Sequence, residues 1–99
     1  MALEASQEPL ADLSTHTREL RRAVASLIEE LEAAHGYQQR VDTCTDPELK
    51  AILAHNRDEE KEHAAMLIEW IRRNDPVQGK ELRDYLFSEG SITGLEEGL

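Results

Sequence analysis

The stretch LKAILAHNRDEEKEHAAMLIEW, residues 49–70, decides the fold of this chain. A heptad pattern in alternating steps of four and three residues runs through it, which is typical of an α-helix packed along a neighbouring helix. Pro47 fits the first turn of this helix, behind a capping residue at Thr45 or Asp46, and Pro76 lies just beyond its end. We therefore predict a helix over 47–74 with a seam at Leu49, Leu53, Asn56, Glu60, His63, Leu67 and Trp70.

A second seam of the same kind lies earlier in the chain and predicts a helix over 10–42, in which Gly36 costs about 1 kcal/mol relative to alanine. Only a few residues separate the two helices, so they must fold back as an antiparallel hairpin. Pro76 and the glycines after it indicate a short third helix over 76–88 and a loose tail over 89–99. The first seam consists of Leu10, Leu13, Thr17, Leu20, Val24, Leu27 and Leu31.

The composition indicates a small domain that does not close a core by itself. The chain has 99 residues, of which 39% are hydrophobic and 4% aromatic, and this is lean for an independent globule. Two helices of this length supply half of a four-helix bundle, and dimerisation is the simplest way to complete it. We therefore predict an all-α chain with a single half-bundle domain over 1–99 that forms a four-helix bundle only on dimerisation.

Charge, cysteine content and hydropathy exclude several partners and structural features. Eleven Lys and Arg residues stand against 21 Asp and Glu residues, a net charge of -10 that repels nucleic acid and anionic lipid. A single cysteine, Cys44, cannot form an internal disulfide. No run of about 18 apolar residues is present to span a membrane, and the N-terminus lacks a signal-peptide pattern. We expect a cytoplasmic protein that binds neither nucleic acid nor membrane.

Polar side chains occupy the middle of the second seam, at Asn56, Glu60 and His63, where leucine would be expected. A carboxylate buried there without a partner costs several kcal/mol, so its charge must be matched. Glu60 and His63 meet on one helical face, and Glu-x-x-His is a ligand unit of carboxylate-bridged di-iron bundles. A hydrogen-bonded Glu60–His63 pair and a solvated stretch of seam are the alternatives, and the seam position favours a metal site.

The first helix supplies a further candidate ligand. With Leu27 at zero and about 100° per residue, Glu30 borders the seam, whereas Glu29 and Glu32 face away from it. One Glu from one helix and Glu-x-x-His from the other form half of a four-helix di-iron ligand set, so two chains would complete it at their interface. Such oxygen-rich ligands suit Fe or Mn better than structural Zn. Tyr37 shares the stripe of Glu30 and either packs at the interface or donates a hydrogen bond to a ligand.

A second acidic face lies on the other side of the second helix. His55, Glu59 and Glu62 are spaced at i, i+4 and i+7 along it. This row either holds a weakly bound cation or is a solvated helix face.

Four further runs of sequence are distinctive: EELEA at 29–33, ILAHNRDEEKEHAAM at 52–66, Glu-Trp at 69–70 and YLFSEG at 85–90. Together they resemble the encapsulated ferritins, the cargo proteins of encapsulin nanocompartments, and the resemblance extends over about residues 8–92. It implies a ferroxidase that oxidises Fe(II) to Fe(III) with dioxygen. It also implies a ring-shaped decamer of five dimers, with a di-iron centre between paired subunits and an encapsulin shell that stores the iron.

The resemblance implies a role for each candidate site residue. Glu30, Glu60 and His63 are the ferroxidase ligands, and Tyr37 is an aromatic residue beside the centre that completes the catalytic set. Iron is the expected metal, with Ca, Zn or Mn as other occupants of the same or peripheral sites. The remaining assignments are Glu29 and Glu32 as the site where metal enters, and His55, Glu59 and Glu62 as a peripheral surface site.

The chain departs from the family at Gly36, because a tryptophan often precedes the tyrosine there, and we expect this change to alter access to the centre or the rate of oxidation. The family's C-terminal peptide for docking to the shell is not recognisable in the 99 residues. Two readings without turnover stay open. One is a metal-stabilised helical dimer or adaptor that holds Zn or Mn, and the other is a hairpin whose Glu60–His63 pair only sets the register.

Overall fold

Two long antiparallel helices account for most of the structure, a computed structural model that describes residues 6–98. This part of the chain contains helices and turns but no strand, which confirms the predicted all-α fold class. None of its helices is long and apolar enough to cross a membrane. The elements are a 3₁₀ turn at Leu10–Asp12, α1 at Thr15–Thr43, α2 at Pro47–Asn74, α3 at Pro76–Tyr85 and α4 at Ile92–Gly98.

Helix α1 begins at Thr15, so the predicted start at about residue 10 is wrong. Ser14 has an extended backbone, and its side chain accepts a hydrogen bond from a backbone N–H of the first turn at 3.0 Å, which is an N-cap. Residues 10–12 instead form the 3₁₀ turn. Arg18 fastens this turn to α1, because its Nε donates to the first carbonyl of the turn at 2.9 Å.

Helix α2 spans the predicted residues 47–74. Asp46 caps it by accepting a hydrogen bond from the Leu49 N–H at 2.8 Å, and Pro47 occupies the first turn, where no intrahelical hydrogen bond is lost. Asp75 ends α2 and also caps α3, because its side chain accepts a backbone N–H of α3 at 3.1 Å. The helix that carries two of the candidate ligands is therefore fixed at both ends by local hydrogen bonds.

The C-terminal part of the chain is more regular than predicted. Helix α3 stops at Tyr85 rather than at residue 88, since Leu86 is extended and Phe87 has a φ of 59°, in the left-handed region. Residues 89–99 are predicted as a loose tail, yet their described part contains the short helix α4.

Small side chains form much of the contact between α1 and α2. Ala23 and Ala34 of α1 and Ala64 of α2 are buried, so the two backbones can approach closely. A partly buried hydrogen bond also crosses the interface, in which Arg57 Nη1 donates to Gln38 Oε1 at 3.0 Å. These contacts set how the two helices lie against each other around the candidate site.

The hairpin leaves many large apolar side chains exposed. The chain measures 48 × 41 × 19 Å along its principal axes, so it is flat. The apolar face of a layer is buried only when another layer covers it. The large apolar residues of α1 and α2 that remain exposed are Val24, Leu31, Leu49, Ile52, Met66 and Trp70.

Gly79 marks a position where the packing of α3 on α2 leaves no room for a side chain. It is buried, and a Cβ there would lie 2.6 Å from the carbonyl oxygen of Arg72. We expect Gly79→Ala to lower the free energy of unfolding by about 1–3 kcal/mol in urea titrations, as overpacked substitutions do. Gly36→Ala is the control, because a Cβ there meets nothing within 4 Å and should raise stability by up to about 1 kcal/mol. Equal stability of Gly79→Ala and the wild type would contradict this packing.

Candidate metal centre

One carboxylate of α1 faces a carboxylate and an imidazole of α2 near the middle of the hairpin. Glu30 Oε2 lies 3.4 Å from His63 Nδ1, and Glu60 Oε2 lies 3.5 Å from the same nitrogen. One ligand atom from each of the three side chains lies within 4.8 Å of the other two, and over residues 6–98 no other set of three His, Cys, Asp or Glu side chains comes so close. The structure thus brings together the three residues predicted as metal ligands.

The helix geometry explains why these side chains meet. Glu60 and His63 are three residues apart on α2 and therefore project from one face. Ala34, one turn after Glu30, and Ala64, next to His63, are both buried in the helix interface. Because these alanines let the backbones approach, the short acidic side chains of two helices can reach one imidazole.

The two carboxylates of this group disfavour each other's charge. Glu30 Oε2 is buried and makes no hydrogen bond. The pKa of Glu30 is raised above the usual range of a glutamate, chiefly by the Glu60 carboxyl, with which a protonated Glu30 can share a hydrogen bond, and also by burial. A cation placed between the two carboxylates would remove this conflict.

The imidazole of His63 supplies part of the positive charge that the two carboxylates attract. Burial lowers the pKa of His63, but the attraction of the Glu30 and Glu60 carboxylates outweighs it, so the pKa is raised. Two carboxylates and one imidazole form a donor set that suits a divalent ion such as Fe(II) or Mn(II). The orphaned Glu30 oxygen and this donor set fit a bound metal ion.

Glu29, Glu32 and Tyr37 lie elsewhere, along a groove of about 420 Å³ on α1. The Cζ atom of Arg40 lies 5.1 Å from the centre of the Tyr37 ring, a cation–π contact, and Gly36 lines the same groove. These residues do not belong to the group of three ligands. A role for Tyr37 in catalysis and the entrance of metal past Glu29 and Glu32 therefore stay predictions.

The structure joins two members of the predicted peripheral set of His55, Glu59 and Glu62. His55 Nε2 lies 3.3 Å from Glu59 Oε1, and Glu62 lines a groove together with Trp70. The other oxygen of Glu59 lies 3.9 Å from His63 Nε2, a neighbour that the heptad pattern does not indicate. The i, i+4 spacing of Glu59 and His63 was the sequence signal for this contact. The peripheral metal site stays a prediction.

Comparison with known protein families identifies the chain. The sequence model of the EncFtn-like family matches residues 5–89. The chain belongs to the EncFtn-like family. All three residues of the candidate metal centre lie within the matched range, and the resemblance to encapsulated ferritins is confirmed.

Two relatives of this EncFtn-like chain are longer proteins. An encapsulated ferritin-like protein of Rhodospirillum rubrum is 60% identical over 91 residues, which cover 92% of this chain and 65% of that protein. The encapsulin nanocompartment cargo protein EncC of Myxococcus xanthus is 42% identical over 67 residues, which cover 67% of this chain and 52% of that protein. The chain therefore spans between about half and two thirds of the length of these relatives.

A solved structure supports the helical arrangement of this EncFtn-like chain. The crystal structure of protein ne0167 from Nitrosomonas europaea superimposes with a TM-score of 0.85 and is 63% identical in sequence. The match covers 90% of this chain and 98% of that one. The arrangement that brings α1 and α2 together is thus shared with an experimentally determined structure.

Because Glu60 and burial disfavour the charge of Glu30, we predict a variant that is more stable than the wild type when both proteins are free of metal. Glu30→Gln removes the charge that Glu60 and burial disfavour, so with a chelator at pH 7 we expect the free energy of unfolding to rise by up to about 1 kcal/mol. The gain should shrink as the pH falls toward 4, because a glutamate with a raised pKa is then protonated in the folded state.

The control for this prediction is Glu29→Gln, which removes the same charge from an exposed neighbouring position. Urea unfolding followed by circular dichroism measures all three proteins between pH 4 and 7. A metal-free Glu30→Gln protein that is less stable than the wild type at pH 7 would contradict the repulsion described above.

Proposed function

We propose that this chain is half of a ferroxidase, which oxidises Fe(II) to Fe(III) with dioxygen at a di-iron centre shared by two subunits. The observation that carries the proposal is the convergence of Glu30, Glu60 and His63, in which a buried Glu30 oxygen has no hydrogen bond. Membership of the EncFtn-like family and the relative called an encapsulated ferritin-like protein support a role in iron chemistry.

The proposed dimer follows from two kinds of incompleteness in one hairpin. A four-helix di-iron site uses a glutamate from each of two helices and Glu-x-x-His from each of the other two, and this chain supplies one of each. The same hairpin exposes large apolar side chains, such as Leu31 at 52% and Met66 at 58%. A second copy related by a two-fold axis supplies the missing ligands and covers apolar surface in one step.

The chain's own residues provide binding and electrostatic stabilisation in this proposal. Glu30 and Glu60 hold the Fe(II) substrate through carboxylate oxygens, and His63 binds through Nδ1. The bound ions supply the electrons that reduce dioxygen. Anionic oxygen ligands favour this oxidation, because Fe(III) is harder and more highly charged than Fe(II) and gains more from them. The net charge of -10 raises the local concentration of Fe(II) around the protein.

We also propose that the protein is cargo of an encapsulin shell, where the ferric product accumulates, and that its dimers assemble into a ring-shaped decamer. The Myxococcus xanthus relative is an encapsulin nanocompartment cargo protein by name, and the Rhodospirillum rubrum relative is called encapsulated. A two-helix layer encloses no cavity that could store mineral, so the product of such an enzyme needs a separate container.

The alternative function is a metal-stabilised helical dimer or adaptor without turnover. The observation in its favour is that the same three side chains also suit Mn(II) and can bind Zn(II). Only the oxidation of iron separates the two functions, because both require metal binding at Glu30, Glu60 and His63.

Removal of a ligand should abolish the oxidation of iron. We expect Glu60→Ala and His63→Ala to lower the initial rate of dioxygen consumption after addition of Fe(II) at least about 100-fold, because each removes a ligand from both halves of the shared centre. An oxygen electrode together with the appearance of Fe(III) absorbance measures the reaction.

Asp58→Ala is the matched control, since it removes an exposed carboxylate of the same helix that pairs with Arg57 and lies outside the ligand group. Its rate should stay within about twofold of the wild type. Wild-type turnover in either ligand variant would refute the site assignment, and tight metal binding by the wild type without dioxygen consumption would favour the adaptor.

Fe(II) should stabilise the dimer, because its ligands come from both subunits. We expect native mass spectrometry under anaerobic conditions to show an even-numbered assembly with two iron ions per dimer, and a larger dimeric fraction with Fe(II) than without it. The His63→Ala protein should show neither the bound iron nor the shift. An oligomer distribution of the wild type that does not change with Fe(II) would argue against a centre shared between subunits.

A further inference from the structure

We propose that Glu59 is a positioning residue for the metal centre. In this proposal its carboxylate turns to accept the Nε2–H of His63 when a metal is bound, and thereby holds the imidazole with Nδ1 directed at Glu30 and Glu60. The inference rests on the proposed metal centre and concerns a residue that lies outside the ligand group.

The two nitrogens of the His63 ring face different carboxylates. Nδ1 lies 3.4 Å from Glu30 Oε2 and 3.5 Å from Glu60 Oε2, whereas Nε2 lies 3.9 Å from Glu59 Oε2. The last distance is longer than a hydrogen bond. Both side chains are partly exposed, Glu59 at 47% and His63 at 41%, so a small rotation of either can close the gap.

Glu59 is itself held from its other side. Its Oε1 atom lies 3.3 Å from Nε2 of His55, so the carboxylate lies between two imidazoles on the surface of α2. The three residues are spaced at i, i+4 and i+8, which keeps them in one row along the helix. One oxygen of Glu59 therefore faces His55, while the other lies on the side of His63.

A histidine binds a metal through one nitrogen while its other nitrogen donates to a carboxylate, a carbonyl or water. The acceptor fixes the tautomer and the orientation of the ring, and it makes the binding nitrogen a stronger donor. Loss of such an acceptor typically lowers metal affinity 10–100-fold although every ligand is still present. The arrangement around His63 provides this acceptor from the same helix.

The test measures binding of Co(II) to the full chain at pH 7 by calorimetry and by the visible absorption of the bound ion. We expect Glu59→Ala to weaken binding about tenfold or more relative to the wild type. Glu59→Gln keeps an acceptor oxygen and should stay within about threefold of the wild type. Asp58→Ala removes the adjacent carboxylate, which controls for the loss of one negative charge, and His63→Ala identifies binding at the centre itself.

A second measurement reports on the hydrogen bonding of the His63 ring rather than on the affinity for metal. In the Co(II)-loaded protein the Nε2–H proton of His63 gives a strongly shifted NMR signal that exchanges with water. The signal should exchange much faster in Glu59→Ala than in the wild type or in Asp58→Ala. Circular dichroism checks that each variant is helical, which we expect because alanine favours a helix at this exposed position.

Two outcomes would overturn the inference while the metal centre stands: equal affinities of Glu59→Ala and Asp58→Ala, or a loss in Glu59→Gln as large as in Glu59→Ala. The second outcome would mean that charge, not the acceptor, matters. If the wild type and His63→Ala bind Co(II) equally, the proposed centre fails and the role of Glu59 fails with it.

Discussion

The charge cluster of Glu30, Glu60 and His63 is the constraint on which the rest of this structure depends. Two carboxylates from different helices converge on one imidazole, and one buried oxygen of the cluster has no hydrogen bond. A packed leucine layer at this level would avoid that cost, as replacements of buried ion pairs by apolar residues show in other proteins. The helices instead meet through alanines such as Ala34 and Ala64, which bring acidic side chains together. The hairpin is therefore organised around the cluster rather than around a large apolar core.

The same hairpin is incomplete in its packing and in its ligand set. Large apolar side chains such as Leu31 and Met66 are more than half exposed, and the candidate ligands number half of those in a four-helix di-iron site. Under the proposed function a second hairpin resolves both deficits at one interface. Metal binding then strengthens dimerisation, because an ion that binds only the dimer shifts the association equilibrium toward the dimer. A compartment that concentrates the chains and the iron would favour the assembled form.

Sequence reasoning predicted the features that local hydrogen bonds determine. Asp46, Pro47 and Pro76 mark both ends of α2, and these short-range signals were sufficient for its bounds. The start of α1 was mispredicted because a heptad pattern reports which residues share an apolar face, and it continued through Leu10 while the cap at Ser14 interrupted the helix. The short helix α4 was not predicted because its seven residues include Gly94 and Gly98, and glycine disfavours a helix.

The candidate ligands were predictable because they follow from helix rotation alone. An angle of about 100° per residue places Glu30 beside the seam and excludes Glu29 and Glu32, and the structure brings Glu30 into contact with the α2 pair. The seam itself does not include Glu59, so the heptad pattern did not indicate this residue. Its i, i+4 spacing to His63 was the available signal, because residues four apart lie on one face of a helix.

The three candidate ligands differ from one another in their exposure. The side chains of Glu30 and Glu60 are 25% and 24% exposed, whereas that of His63 is 41% exposed. The helix interface therefore restrains the two carboxylates, while the ring lies at its edge, where packing restrains it less. A ring at an edge needs a hydrogen-bond partner if its metal-binding nitrogen is to keep one direction. The carboxylate nearest to its outer nitrogen belongs to Glu59. Under the proposed role of Glu59, the orientation of the least buried candidate ligand therefore depends on a surface residue outside the ligand group.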